Sequence, residues 1–411
     1  MKKMVLLLSE YPYNAGEYPF IKTELSVILD EYEVTIISFS NSVIQKMKID
    51  KRIKLFHCNY VFSVKEKILA VLDFFFSLEG IKELLEIIKG KEKIIGRIYD
   101  SISYLSCAKQ LRKFIKKNNI LESSEEILIY SYWFNASCMA FLQERKKKSK
   151  ITVISRIHGC DLYNERNAHS RQPFRTYMDK NIDKLFFVGE NGREYYLKNW
   201  GVNDCTKYVV APIGTVNDNL ENQSCCKDES ASFRIVSCSD IIPLKRIDYI
   251  IKALSNIRDA NIEWIHFGAG ELYNEMKKTA TEILGENICY EFKGSLSIEE
   301  IMNYYDTHYV DCFITTSSTE GCPVSIQEAM SYGIPVIATA VGEIPNMICG
   351  NGVLLTENPS VEEISSAIRY IMMNDKETIS QIREKSKKMW KEKYNARVNA
   401  MQFVCDIRNI L

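Results

Sequence analysis

Glu320 and Glu328 stand eight positions apart in the segment Ser317-Ser318-Thr319-Glu320-Gly321-Cys322-Pro323-Val324-Ser325-Ile326-Gln327-Glu328. The apolar run 310–315 before it reads as a strand, the polar residues as a loop, and Pro323 as part of a helix's first turn, where its missing N–H costs nothing. A helix starting directly after a parallel strand turns backbone N–H groups and the positive end of its dipole toward an anion, and phosphate is the natural occupant. Carboxylates serve phosphate badly but accept hydrogen bonds from sugar hydroxyls well. One carboxylate ahead of the helix and one roughly two turns into it suit an elongated ligand with phosphate in the middle and hydroxyls at both ends. A nucleotide-sugar has that form. Any single glutamate is usually a solvated charge, so the pair gains weight only from its surroundings.

Other chemistry-bearing residues also follow apolar runs. His158, one of five histidines, comes directly after run 151–157 and before Gly159. A lone histidine is more often structural than catalytic, and a loop lysine such as Lys245 is ordinarily solvated. A dehydrogenase is set aside because the glycine pattern of a dinucleotide-binding turn is missing after the first strand, where Asn14-Ala15-Gly16-Glu17 stands.

The stretch from Ser317 through Glu328-Ala329-Met330 and Gly333-Ile334-Pro335-Val336-Ile337-Ala338-Thr339 to Val341-Gly342 resembles the EX7E region of glycosyltransferase family 4. The resemblance implies a GT-B fold, two Rossmann-like domains facing across a cleft, and transfer of a sugar with retention of configuration by front-face displacement. It implies that Glu328 contacts the donor ribose and that Glu320 contacts the transferred sugar near the reacting carbon. Backbone N–H groups of Gly321, Cys322, Val324 and Ser325 would hold sugar hydroxyls and the distal phosphate. Lys245 matches the lysine that the family places on the donor diphosphate. Ser239 and Asp240 stand where relatives often carry an arginine, so Arg246, next to Lys245, is expected to supply the missing charge. The run His266-Phe267-Gly268-Ala269-Gly270-Glu271 resembles the family's glycine-rich loop, and Phe292-Lys293-Gly294 its base-contacting loop. His158 stands at the place of a histidine close to the transferred sugar, with Arg156, Asp161 and Arg166 as acceptor-side candidates. In the loop Tyr13 to Ile21, Gly16 would let backbone approach the donor phosphate and acceptor. No cofactor and no metal is implied, and no Asp-X-Asp pair occurs. A nucleotide-sugar epimerase or phosphorylase on the same scaffold, and a non-catalytic sugar-nucleotide-binding subunit, remain open alternatives.

The elements that must carry these loops are short β-branched runs alternating with longer stretches of helical periodicity, the pattern of parallel βα units. Strands are expected over 4–8, 34–39, 53–56, 127–132, 151–157, 184–188 and 208–211, and again over 234–238, 263–267, 288–292, 310–315, 336–338 and 352–355. The polar stretch between them divides the 411 residues into an acceptor-binding domain (1–214), a linker (215–232), a donor-binding domain (233–385) and a C-terminal helix (386–411) that packs back on the first domain.

Lysine plus arginine (53) balances aspartate plus glutamate (53), so no global field gathers nucleic acid. The apolar run at the N-terminus stops at Ser9-Glu10 with no cleavage pattern, and no run is long enough to span a membrane, so a cytoplasmic location is expected. Thirteen cysteines without a secretory signal are expected as reduced thiols, and Cys225-Cys226 lacks the histidines of a zinc site. Lysines crowd the amphipathic stretch 64–105, and further basic residues follow at Lys109, Arg112, Lys113, Lys116 and Lys117 and over 145–148. A solvated helix face is their plain reading; a peripheral contact with an anionic membrane or a polyprenyl-diphosphate-linked acceptor is the sharper one.

Overall fold

Strands that read as continuous apolar runs need both faces covered, and the helices between them supply the cover. The architecture is seen in a computed structural model, which describes residues 2–14, 16–42, 44–59, 64–122, 126–145, 150–201, 204, 206–219 and 232–410. The chain forms two compact units: Met1–Ile213 with Arg397–Leu411, and Gly214–Ala396.

The first unit is built on β1 (Lys2–Leu8), β2 (Tyr32–Ser38), β3 (Lys54–His57), β4 (Ile127–Ser131), β5 (Ile151–Ile157), β6 (Lys184–Phe187) and β7 (Tyr208–Val210). They form one parallel sheet in the order β3-β2-β1-β4-β5-β6-β7. The second unit carries β8 (Phe233–Cys238), β9 (Ile262–Phe267), β10 (Ile288–Phe292), β11 (Cys312–Thr315), β12 (Val336–Thr339) and β13 (Gly352–Leu355), parallel in the order β10-β9-β8-β11-β12-β13. In each sheet the strand order reverses beside the first strand, and the loops at that point open a crevice beyond the carboxyl ends. β4 lies at the centre of its sheet and all five of its residues are buried, as a strand covered on both faces should be.

Arg156, expected on the acceptor side, is corrected by the packing. It lies on β5 inside the core, with Nη1 2.6 Å from the Glu24 carboxylate and its guanidinium 4.3 Å from the Phe403 ring centroid. A buried charge holds only where it is paired, and here the pair ties helix Tyr18–Glu31 and the C-terminal helix Ala396–Arg408 to the sheet.

The C-terminal return also comes later than expected. Helix Lys376–Met389 runs into a π-helical turn, Trp390–Tyr394, and Trp390 and Tyr394 are buried in the second unit's core with Phe313 and Met330. The Trp390 indole N–H donates to Thr215 Oγ1 at 2.8 Å, which satisfies the polar edge of a buried ring. The crossing to the first unit therefore falls at Arg397 rather than Ser386. Residues 220–231 of the linker, with Cys225 and Cys226, and lysines 146–148 lie outside the described residues. The ten described cysteines are all free thiols.

Candidate active site

Two loops that follow neighbouring strands, 239–246 after β8 and 316–323 after β11, are stitched together in the second unit. Thr316 Oγ1 donates to the carbonyls of Arg246 (2.8 Å) and Lys245 (3.2 Å), and the Ser318 N–H donates to the Leu244 carbonyl at 2.8 Å. The stitching sets Lys245 against Glu320, with Nζ 2.5 Å from Oε1 in a partly shielded pocket of chain. Gly342 completes the wall. At φ +55° it occupies the left-handed region, and a Cβ there would lie 2.0 Å from the Glu320 carbonyl oxygen, so no other residue lets the segment after β12 close on Glu320.

Helix Val324–Ser331 begins next, with Pro323 as its N-cap and no side chain capping its N–H groups. Its positive end, at Gly321, Cys322, Val324 and Ser325, is arranged as a helix terminus that receives an anion. Glu328 lies on the second turn at 5% exposure, and no hydrogen-bond donor among the described residues reaches its carboxyl oxygens. Burial pushes that carboxyl up to about 7. An ionised carboxylate accepts and never donates, so an uncompensated one in a buried position calls for a ligand rich in hydroxyls.

Arg246 does not join them. Its guanidinium donates to the carbonyls of Ser317 (3.1 Å) and Glu357 (2.9 Å) and to Asn358 Oδ1 (3.2 Å), and it stacks over Tyr249. Where a diphosphate arginine was expected, the two Nη groups of Arg246 brace the loop after β13 to the loop after β11, and its Nε has no partner among the described residues.

Two further sequence candidates shape the same crevice. Gly268 has φ +144°, and a Cβ would sit 1.8 Å from the Ser239 carbonyl oxygen, which holds the loop after β9 against that after β8. Phe292 is half-buried, edge-on to Trp264 with ring centroids 5.2 Å apart. Beneath them His266 is wholly buried, its Nε2 bound to the Ser239 carbonyl at 3.1 Å and its Nδ1 to Ser237 Oγ at 2.8 Å; burial drives it down to about 4. A cavity of about 900 Å³ in this unit, lined by Phe233, Tyr309, Asp311 and Arg383 among others, lies at the amino ends of β8 and β11, away from the two glutamates.

In the first unit, β5 ends at Ile157 and the loop that follows is organised by Asp161. Its carboxylate accepts the backbone N–H groups of His158 (2.6 Å) and Phe134 (2.8 Å). Burial raises its pKa, against the backbone hydrogen bonds and the Arg175 charge. Asp161 therefore builds this loop. Arg166 lies over Gly159, where a Cβ would meet its Nη1 at 2.1 Å, and stacks on Tyr163.

His158 Nε2 is 3.1 Å from the Tyr132 carbonyl, and its ring packs against Tyr132 and Trp133. A carbonyl only accepts, so Nε2 carries the proton and Nδ1 keeps its lone pair. Burial, helped by Arg156, pushes the imidazole down to about 3. His158 is thus a neutral hydrogen-bond acceptor, suited to a sugar hydroxyl. Its ring protons followed by NMR are expected to show no titration between pH 5 and pH 8; a midpoint near the ordinary histidine value of about 6.5 would remove this reading.

Three residues escaped the sequence reading. Glu17 is buried, and its carboxylate accepts the N–H groups of Ser9 (2.6 Å), Glu10 (3.1 Å) and Tyr11 (3.4 Å) together with the Trp133 indole N–H (2.8 Å). Gly16 beside it, at φ +41°, would set a Cβ 2.4 Å from that of Glu10, so a glycine here lets the loop after β1 close. Arg175, wholly buried, donates to the carbonyls of Phe134 and Asp161 and to Gln172. The signal available for Glu17 and Trp133 was adjacency to candidate loops, since Glu17 follows Gly16 and Trp133 follows β4, whereas Arg175 had none. The loops after β1, β4 and β5, with helix Ile94–Lys117, border an open cavity of about 680 Å³ lined by Ser9, Trp133, Asn135, Asp161 and Gln172 among others.

Residues 228–389 match the family model described as "Glycosyl transferases group 1". The O-antigen biosynthesis glycosyltransferase WbnH of Escherichia coli is 28% identical over 250 residues, 61% of this chain and 67% of that protein. The lipopolysaccharide outer core galactosyltransferase WaaB superposes with a TM-score of 0.69 at 14% identity over the full length of both chains. Anabaena HepE in complex with UDP and glucose gives 0.65 at 14% identity, over 99% of this chain and all of its own. The architecture, two parallel-sheet α/β units matched along the whole chain by such structures, is GT-B.

Proposed function

We propose that this chain is a retaining glycosyltransferase that moves a hexose-type sugar from a UDP- or GDP-sugar to a hydroxyl of a glycan or lipid-linked acceptor in polysaccharide biosynthesis. The observation that carries the reading is the pair Glu320 and Glu328 on either side of an uncapped helix N-terminus, with Lys245 at 2.5 Å from the first. The match of residues 228–389 to the group 1 transferases supports it, as do the O-antigen enzyme among the relatives and a structural neighbour holding UDP and glucose.

In this reading the ion pair Lys245–Glu320 is the resting state of both groups. A donor brings a diphosphate for the lysine and hydroxyls for the carboxylate, and Glu328 takes the ribose. The bond from the anomeric carbon to the diphosphate oxygen breaks as the acceptor oxygen approaches on the same face, and the acceptor proton passes to the departing phosphate. Lys245 and the helix N-terminus meet the charge that builds on the leaving group. Because these groups supply the positive charge, turnover is expected to survive EDTA. Loss of turnover restored by manganese would overturn the phosphate-site assignment.

The test of the reading is a thermal-shift screen against UDP, GDP and their sugars, followed by product analysis. A ligand at 100 times its Kd stabilises by about 2.7 kcal/mol. A sugar appearing on an acceptor with the donor's anomeric configuration is the expected product. Altered donor without any acceptor would mean an epimerase instead, and binding without turnover a non-catalytic subunit.

A further inference from the structure

Helices Val64–Phe76 and Leu78–Lys89, with the start of helix Ile94–Lys117, are apolar on the side that faces solvent. Only Ala70 and Phe74 of the first and Gly80, Glu83 and Ile87 of the second are buried, whereas Val64 is 75% exposed, Phe76 80% and Ile95 86%. Twelve of the 22 large exposed hydrophobics among the described residues fall within 64–99, and at 64, 68, 71, 72 and 75 of the first helix and 78, 81, 85 and 88 of the second they recur at the spacing that puts them on one side of each helix.

The charges on these helices are sorted. Asp73 pairs with Lys109, Glu66 with Lys113, Glu83 and Glu86 with Arg171, and Glu92 with Arg97. Asp73, Glu66, Glu83 and Glu86 are thus met by cations outside the first two helices, and Glu92 by Arg97 at the start of the third. Lys65, Lys82, Lys89 and Lys91 are exposed, and no acidic partner for them exists among the described residues. An apolar face edged by unmatched lysines is complementary to a surface with an apolar interior and negative headgroups. Tyr99, 61% exposed on this face, also lines the 680 Å³ cavity beside Trp133 and Asn135, so the face is continuous with the candidate acceptor side.

We infer that residues 64–99 are a docking surface for an anionic lipid bilayer, which brings the cavity lined by Tyr99 and Trp133 to the membrane surface. The inference stands on surface chemistry and does not depend on the reaction proposed above. No helix among the described residues is long and apolar enough to cross a membrane, so the contact is peripheral.

The experiment is co-sedimentation of the full chain with phosphatidylglycerol-containing vesicles and with pure phosphatidylcholine vesicles, alongside its mass in solution by light scattering. Binding is expected to the anionic vesicles, weakened by salt. It should fall roughly fivefold for each of Lys82→Gln and Lys89→Gln, and roughly tenfold or more for Phe75→Ser with Phe76→Ser. These side chains are exposed, and a thermal melt confirms that the variants fold. Absence of vesicle binding, or binding that ignores both sets of substitutions, would overturn the inference. So would a dimer that Phe75→Ser with Phe76→Ser dissolves while the vesicles bind nothing.

Discussion

Lys245→Ala is expected to lower kcat/KM about 30-fold to 1,000-fold, while Arg246→Ala, one residue on, leaves it within about threefold of the parent. The two cations differ in what already holds them. Lys245 meets a single carboxylate, Glu320, which a sugar donor can replace. Arg246 is held by two carbonyls and an amide oxygen and stacks on Tyr249. Its removal should instead appear in the thermal melt, since lost hydrogen bonds to a charged donor cost roughly 1.5–3 kcal/mol each in gross terms and less once the loop relaxes. Equal losses of kcat/KM in both variants would restore Arg246 to the diphosphate site. An unchanged Lys245→Ala would remove the lysine from it.

Glu328→Gln should make the protein more stable and the donor bind more weakly. Burial raises this carboxyl from the ordinary 4.5 to about 7, so the folded state holds its proton more tightly than the unfolded state. The stability associated with that proton is fully present below about 4.5 and is lost as the pH rises to about 7. At pH 8 the charged group costs up to about 3 kcal/mol, which glutamine does not incur. The Tm advantage of the variant is therefore expected to be large at pH 8 and to vanish toward pH 4.5. An advantage of equal size at both pH values would show that packing, not ionisation, is responsible. Affinity for free nucleotide should move the other way, because glutamine offers one acceptor oxygen where the carboxylate offers two. A variant that binds nucleotide as tightly as the parent would end the ribose assignment. Glu320→Gln, in contrast, should act mainly on kcat, since its carboxylate is assigned to the transferred sugar.

Continuous apolar runs between stretches of 3.6-residue periodicity made the sheets legible, because a parallel strand covered on both faces must be apolar along its length. The strands expected over 151–157, 288–292 and 352–355 coincide with β5, β10 and β13. What patterning does not reveal is which polar residue inside a strand faces the core. Arg156 reads as a site residue because it precedes His158, yet its partner Glu24 is 132 positions away and only folding brings them together. Arg246 fails for a related reason: adjacency to Lys245 says nothing of direction, and its left-handed backbone at φ +48° sends the side chain to Ser317 and Glu357. The loop after β11 was legible because strand, loop, proline and helix follow without a gap in the chain. Trp390 misled for the opposite reason, since helical periodicity continues through a π-turn while the packing partners change.

The hub at Glu17 bears on attempts to change what the first unit accepts. One carboxylate gathers three successive N–H groups of its own loop and the indole of Trp133 from another. The segment 9–17 is therefore closed on itself by Glu17 and held from outside at two places: by the Trp133 indole, and by residues 46–48, where the Tyr11 hydroxyl donates to the Lys48 carbonyl and the Pro12 carbonyl accepts the N–H groups of Lys46 and Met47. Transplanted from a homologue without these partners, it would lose the geometry for which it was chosen; the Trp133 segment and residues 46–48 have to be carried with it.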